Sequence, residues 1–147
     1  MIIAPQLKTS DKIELFLYKY VLPGDPIPLM RPRIKGRTCY DSQHQIRLVK
    51  GIGLRNQHGE KPEFTSGLLM TVIFYMPLPA SWSPRKKESM IGRHHISRPD
   101  LSNLLKFVED LAVDVHILKD DCLIAEVIGR KLYDENPRTE FVFTAIE

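Results

Sequence analysis

Between Ser97 and Asp121 the chain gathers Asp100, Ser102, Asn103, Lys106, Asp110, Asp120 and Asp121, side chains able to hold a metal ion or stabilise charge. Carboxylates fixed on a helix end and a strand end suit a divalent cation such as Mg²⁺. That ion takes hard oxygen ligands and often only one or two protein carboxylates beside waters and phosphates. A lysine beside them suits an anionic substrate or a developing oxyanion. Each residue also has an ordinary structural reading. Ser97 and Asp100 have the spacing of a capping box, Asp120-Asp121 suits a turn, and Lys106 with Asp110 suits a solvated i, i+4 pair.

Either reading needs elements to hold these groups in place. Leu101, Leu104, Leu105, Val108, Leu111, Ala112 and Val115 fall on one stripe when successive residues are turned by ~100°, which predicts a helix with that face against a core. Asn103, Lys106 and Asp110 then project from the opposite side, with Asp100 at the first turn. The residues after Asp110 are enough to finish the helix, turn near His116 to Lys119, and deliver Asp120-Asp121 at the head of a strand. The acidic groups therefore come from two different elements.

The run Arg98-Pro99-Asp100-Leu101-x-Asn103-x-x-Lys106-x-x-x-Asp110-Leu111, followed by Asp120-Asp121-x-x-Ile124, resembles the RusA family of phage-derived Holliday junction resolvases. That family's pattern reads approximately (K/R)-P-D-x-D-N-x-x-K-x-x-x-D-x-L, then D-D-x-Q-I. Upstream, Pro23-Gly24-Asp25-Pro26-Ile27-Pro28 with Arg31-Pro32-Arg33 is similar to the family's N-terminal strand and loop. Two positions depart from the pattern: Ser102 stands where the family has the second acid of D-x-D, and Leu123 stands where it has glutamine. The resemblance implies a Mg²⁺-dependent endodeoxyribonuclease, with Mn²⁺ as a substitute, that resolves four-way junctions and other branched DNA as a homodimer of phage or prophage origin. It implies Asp100, Lys106 and Asp121 as catalytic residues and Asp100 and Asp121, helped by Asp120, as metal ligands. Ser102 would then offer a hydroxyl or hold a water where a carboxylate is expected.

At 147 residues, 43% hydrophobic and 27% charged, the chain fits one globular domain spanning residues 1–147 with an ordinary core. Its net charge of +3 permits nucleic-acid binding without requiring it, so local clusters must carry that case. One cluster is the loop from Met30 to Tyr40, where Arg31, Arg33, Lys35 and Arg37 alternate with Pro32, Gly36 and Thr38 and only Ile34 is apolar. A second is Arg85, Lys86 and Lys87, behind a Ser83 cap and Pro84 at the first helical position. Both can lie along a phosphate backbone, and both can equally be solvated surface. Trp82 suits either base stacking or a core edge, and His94-His95 reads as loop.

Cys39 and Cys122 are the only cysteines and have no zinc-site spacing. With no apolar run long enough for a membrane span and no secretory leader, a soluble, cytoplasmic protein is expected. Ile13 to Leu22 predicts a first strand. Asp41 or Ser42 predicts the cap of a helix over Gln43 to Gln57, with Ile46, Leu48, Val49 and Ile52 as its apolar face. Gly67 to Met76 predicts a central strand covered on both sides, and Leu123 to Leu132 and Thr139 to Ile146 predict two final strands joined at Asp134-Glu135-Asn136-Pro137. The expected architecture is an α/β fold of the α+β type, a small mixed sheet with helices packed on it. A junction-binding protein without catalysis is the competing expectation, because Ser102 removes a carboxylate. A module with no nucleic-acid partner would leave both basic clusters unexplained.

Overall fold

The computed structural model describes residues 18–146, in which the apolar run Leu68–Met76 forms strand β4. β6 (Arg138–Ala145) pairs antiparallel with one edge of β4, and β5 (Ile124–Tyr133) pairs parallel with the other. β1 (Lys19–Pro23) pairs antiparallel with β6, giving the order β1-β6-β4-β5. The first strand is thus shorter than expected over the described residues, and the remainder of the expected run, 13–17, lies outside them.

Alternation fixes the two faces of β4. Leu68, Met70, Val72, Phe74 and Met76 are buried, while Leu69, Thr71, Ile73 and Tyr75 are only half-buried. The strand is interior as expected, but one face is covered by the core and the other by longer surface side chains. Arg138, opposite Tyr75 in register, lays its guanidinium 3.8 Å from the tyrosine ring centroid and bonds Glu140.

Parallel pairing of β4 with β5 demands a long crossover. Residues 77–123 provide it, with helices α2 (Pro84–Met90) and α3 (Leu101–Asp114) following α1 (His44–His58) in the chain. Leu104, Phe107, Val108, Leu111 and Ala112 of α3 are buried against the sheet; Phe107 widens the expected stripe. Asp100 is the N-cap residue, one position before the first turn, and its side chain makes no capping bond. The helix packs over β5 at Gly129, where a Cβ would meet Leu105 at 3.5 Å and Leu101 at 3.8 Å, ordinary contact distances.

α1 presents a different face from the one its larger apolar residues suggest. Leu48, Val49 and Ile52 are 55%, 68% and 63% exposed, whereas Gly51, Leu54 and His58 are buried. Close approach decides this, since a Cβ at Gly51 would fall 2.8 Å from Val115 at the end of α3. The cap also differs from expectation. Gln43 is the N-cap, and its side chain is spent on the incoming chain, accepting from the Met30 amide at 2.9 Å and donating to the Pro28 carbonyl at 2.8 Å. Deeper in the core, the Tyr20 hydroxyl and His58 Nδ1 are 2.6 Å apart, and His58 Nε2 lies 3.2 Å from the Pro62 carbonyl.

The basic segment expected as a loop folds as a hairpin. β2 (Arg33–Lys35) and β3 (Thr38–Tyr40) pair antiparallel around Gly36, whose φ of 63° favours glycine. Ile34, the one residue there that could have been buried, is 78% exposed.

Candidate active site

The two halves of the acidic motif meet through Lys106. It lies on the outward side of α3, and its ammonium donates to Asp121 Oδ2 at 2.6 Å while lying 3.3 Å from Asp110 Oδ1. The hydrogen bond to Asp121, with further help from Asp110, raises the lysine's pKa, so the group stays a cation. Asp121 reaches it from a short 3₁₀ turn, Asp121–Leu123, which stands between α3 and β5; the strand proper begins at Ile124, later than expected.

Asp120 caps that turn by accepting from the Cys122 amide at 2.9 Å, and this bond holds its carboxyl below the usual range. Its exposed carboxylate therefore remains charged beside Asp121. A separate side-chain hydrogen bond to Asp120, with that carboxylate's charge, pushes the Cys122 thiol up. Asp110, Asp120 and Asp121, with Asp114, Lys119 and Arg47, line an open hollow of about 290 Å³. Its far wall is an ion-pair bridge, in which Arg47 of α1 pairs with Asp114 of α3 at 2.5 Å and with Asp41 at 2.8 Å.

Glu109 is a carboxylate the sequence reading passed over. It is half-buried on α3, where burial first, then the charges of Asp121 and Asp110, raise its pKa against the pull of Lys106. Its place one residue before Asp110, three after Lys106, is the signal that could have found it.

Asp100 does not line the hollow. It stands at the start of α3, six residues before Lys106, or roughly 9 Å along the helix axis at 1.5 Å per residue. Ser102 is exposed, one turn before Lys106 on the same side of the helix. The structure thus brings together Lys106, Asp110, Asp120 and Asp121, and leaves Asp100 at the approach to them.

The chain entering α3 is fastened to β5. The Gly92 and His95 amides donate to the Tyr133 and Lys131 carbonyls, the Tyr133 amide donates to Arg93, and Lys131 Nζ donates to the carbonyls of Ser97 and Pro99, each at 2.7 Å. His95 is therefore a strand-edge residue packed 4.8 Å from the Tyr133 ring, with burial lowering its pKa; His94 remains exposed. Trp82 takes the core-edge role, its ring 5.2 Å from Tyr133 and Lys86 Nζ 4.5 Å from its centroid. Arg85 is exposed and Lys87 half-buried on α2, where Ser83 accepts from the Lys86 amide as expected of a cap.

The basic hairpin is anchored beside the same helix, because the Leu29 amide donates to the Asn103 carbonyl at 2.9 Å just before Arg31. Arg31, Lys35 and Arg37 are exposed. The exposed basic side chains are therefore tethered next to the start of the acidic helix.

Among the described residues no three His, Cys, Asp or Glu side chains form a closed metal cage. The donor set nevertheless suits a hard divalent ion held by few protein ligands: Asp120 and Asp121 are adjacent and exposed or half-exposed, each with one oxygen engaged. No helix among the described residues is long and apolar enough to cross a membrane.

An uncharacterized protein of Bacillus subtilis (strain 168), YqaN, is 28% identical over 139 residues, which covers 87% of this chain and 96% of that one. Residues 23–142 match the family described as Endodeoxyribonuclease RusA, a span that begins at the last residue of β1 and takes in both basic segments, the whole of α3 and most of β6. The chain belongs to the RusA endodeoxyribonuclease family.

Proposed function

We propose that this protein cuts branched DNA, with four-way junctions as its preferred substrate, in a reaction that depends on Mg²⁺ and accepts Mn²⁺. The observation that carries this reading is the 2.6 Å contact between Lys106 and Asp121, which joins two parts of the motif fifteen residues apart in the chain. Asp120 and Asp121 would hold the ion, and Asp100, at the N-cap of α3 and outside their hollow, would act on its water shell rather than as a direct ligand. When bound, such an ion neutralises phosphate charge and makes water a better nucleophile.

The protein's own groups do the rest. Lys106, kept protonated by Asp121 and Asp110, faces the negative charge that grows on the scissile phosphate. Arg31, Arg33, Lys35 and Arg37 follow the phosphates of one arm beside α3, while Arg85, Lys86 and Lys87 form a second, smaller contact. Lys86 is the least available of these because it already sits over Trp82. Two copies acting together, one on each of two opposed strands, would cut a junction symmetrically.

A specific observation supports a second reading: Ser102 places a hydroxyl where the family pattern has a carboxylate, which favours junction binding without efficient cutting. One experiment separates them. The protein is incubated with a synthetic four-way junction and Mg²⁺ or Mn²⁺, and paired nicks at symmetric positions are expected; binding with no nick under either metal would leave the second reading.

A further inference from the structure

Residues 96–99, the stretch of chain that leads into Asp100, have unusually few attachments. Residues 92–95 are riveted to the outer edge of β5 by backbone hydrogen bonds, and Asp100 is fixed by its carbonyl, which accepts from the Asn103 and Leu104 amides. Between those two anchors, the hydrogen bonds recorded for the described residues are the two from Lys131 Nζ, to Ser97 and Pro99. Residues 96–98 are otherwise exposed, Ile96 at 91%.

Lys131 points from the helix-covered side of β5. It is in register with buried Phe74 of β4, two residues beyond Gly129, where Leu101 and Leu105 of α3 pack. Its ammonium thus lies at the start of α3, where the helix dipole is positive and a cation is disfavoured. Helix stability therefore does not account for a lysine here. Two carbonyl acceptors do, and both belong to the strap that ends in Asp100.

We propose that Lys131 is a positioning residue: its ammonium clamps the 97–99 strap onto β5 and thereby sets where the Asp100 carboxylate stands. This rests on the metal-dependent reading above only for its effect on cutting; the clamp itself can be measured without it.

The test uses the full chain with Lys131→Met, Lys131→Gln and Lys131→Arg. Exchange of the hydrogen-bonded amides that flank the strap, His95, Asn103 and Leu104, is expected to rise at least tenfold in Lys131→Met, with core amides of β4 unchanged, and to stay within about threefold of wild type in Lys131→Arg, which keeps the charge and the donors. Direct Mn²⁺ binding should weaken in Lys131→Met and recover in Lys131→Arg. Junction cutting should show a raised metal midpoint and lowered rate in Lys131→Met, while junction affinity measured without metal changes less than twofold. Unchanged exchange at His95, Asn103 and Leu104 overturns the clamp. Faster exchange with unaltered Mn²⁺ binding overturns its role toward Asp100. If wild type cuts no junction, the cleavage reading falls, and the exchange and Mn²⁺ measurements still decide the clamp. Should Lys131→Met fail to fold, Lys131→Gln, which keeps a donor but loses the charge and reach, is expected to show the same loosening, and wild-type exchange in it is equally fatal.

Discussion

In the proposed reading activity turns on Ser102, which is exposed on the first turn of α3, one helical turn before Lys106. Ser102→Asp adds a carboxylate near the positive end of the helix and at i, i+4 to a lysine, so it should leave stability unchanged or raise it by about 0.3–1 kcal/mol. A third anionic ligand should also tighten Mn²⁺ binding and raise cutting at low Mg²⁺. Asp100→Asn, by contrast, should abolish cutting and spare junction binding, since the basic surface is untouched. If wild type already cuts fully at low metal and Ser102→Asp gives no gain, another carboxylate completes the site, with Glu109 and Asp110 the nearest on the helix. His58 governs a different property. Burial lowers its folded pKa while the unfolded chain titrates near ~6.5, so the unfolded state takes up protons first and stability should fall as pH drops below ~6.5. His95 shifts in the same direction, for the same leading reason. Urea melts at pH 7.5 and 5.5 should therefore show a loss that shrinks, without vanishing, in His58→Gln; an identical loss in that variant would clear His58.

At the scale of elements, two glycines of α1 look alike in the sequence and differ in what surrounds them. Gly53 has open space where a Cβ would go, so Gly53→Ala should stabilise by about 0.5–1 kcal/mol through helix propensity alone. Gly51 would place that Cβ 2.8 Å from Val115, a β-branched side chain with little freedom to turn aside. The overpacking cost of roughly 1–3 kcal/mol outweighs the propensity gain, and Gly51→Ala should destabilise. Equal midpoints for the two variants in thermal melts would contradict this account of the α1 and α3 crossing. The same contrast explains what could be read in advance. α3 was legible because its apolar residues obey one period over four turns, and the sheet order places them where the period says. β4, β5 and β6 were legible from length, alternation and the Asp134 to Pro137 turn. The buried face of α1 was not, because a contact made by the absence of a side chain leaves no mark in hydrophobic periodicity. Nor was the hairpin at 33–40, since a three-residue strand pair carrying mostly cations has no alternation to read. In the site, spacing pointed to Lys106, Asp110 and Asp121, whereas the role of Lys131 in fastening the 97–99 strap depends on a parallel strand register that local sequence does not contain.

For the whole molecule, modest net charge has to be set against its distribution. A charge of +3 spread evenly would bind DNA weakly, but Arg31, Lys35 and Arg37 are exposed on one hairpin whose base is tied to Asn103 on the acidic helix. In the proposed reading these cations would offset repulsion between DNA and the cluster of Asp110, Asp114, Asp120 and Asp121. Each phosphate contact releases counterions, so junction affinity should fall steeply with salt, and the slope of log Kobs against log salt should reach about −0.9 per contact on duplex arms. Replacing Arg31 and Arg33 together should weaken binding to every DNA and shallow that slope by about two units or less. Arg85→Ala should change it by no more than one contact, roughly 0.9 units, because α2 offers a single exposed arginine while Lys86 is already engaged with Trp82. Four-way junctions should still bind more tightly than linear duplex in both variants, because shape preference needs the hairpin and α3 to meet two arms at once. A slope unchanged by the double replacement would take the hairpin out of the interface, and equal affinity of wild type for junction and duplex would remove the reason to place the hairpin and the acidic helix at a branch point.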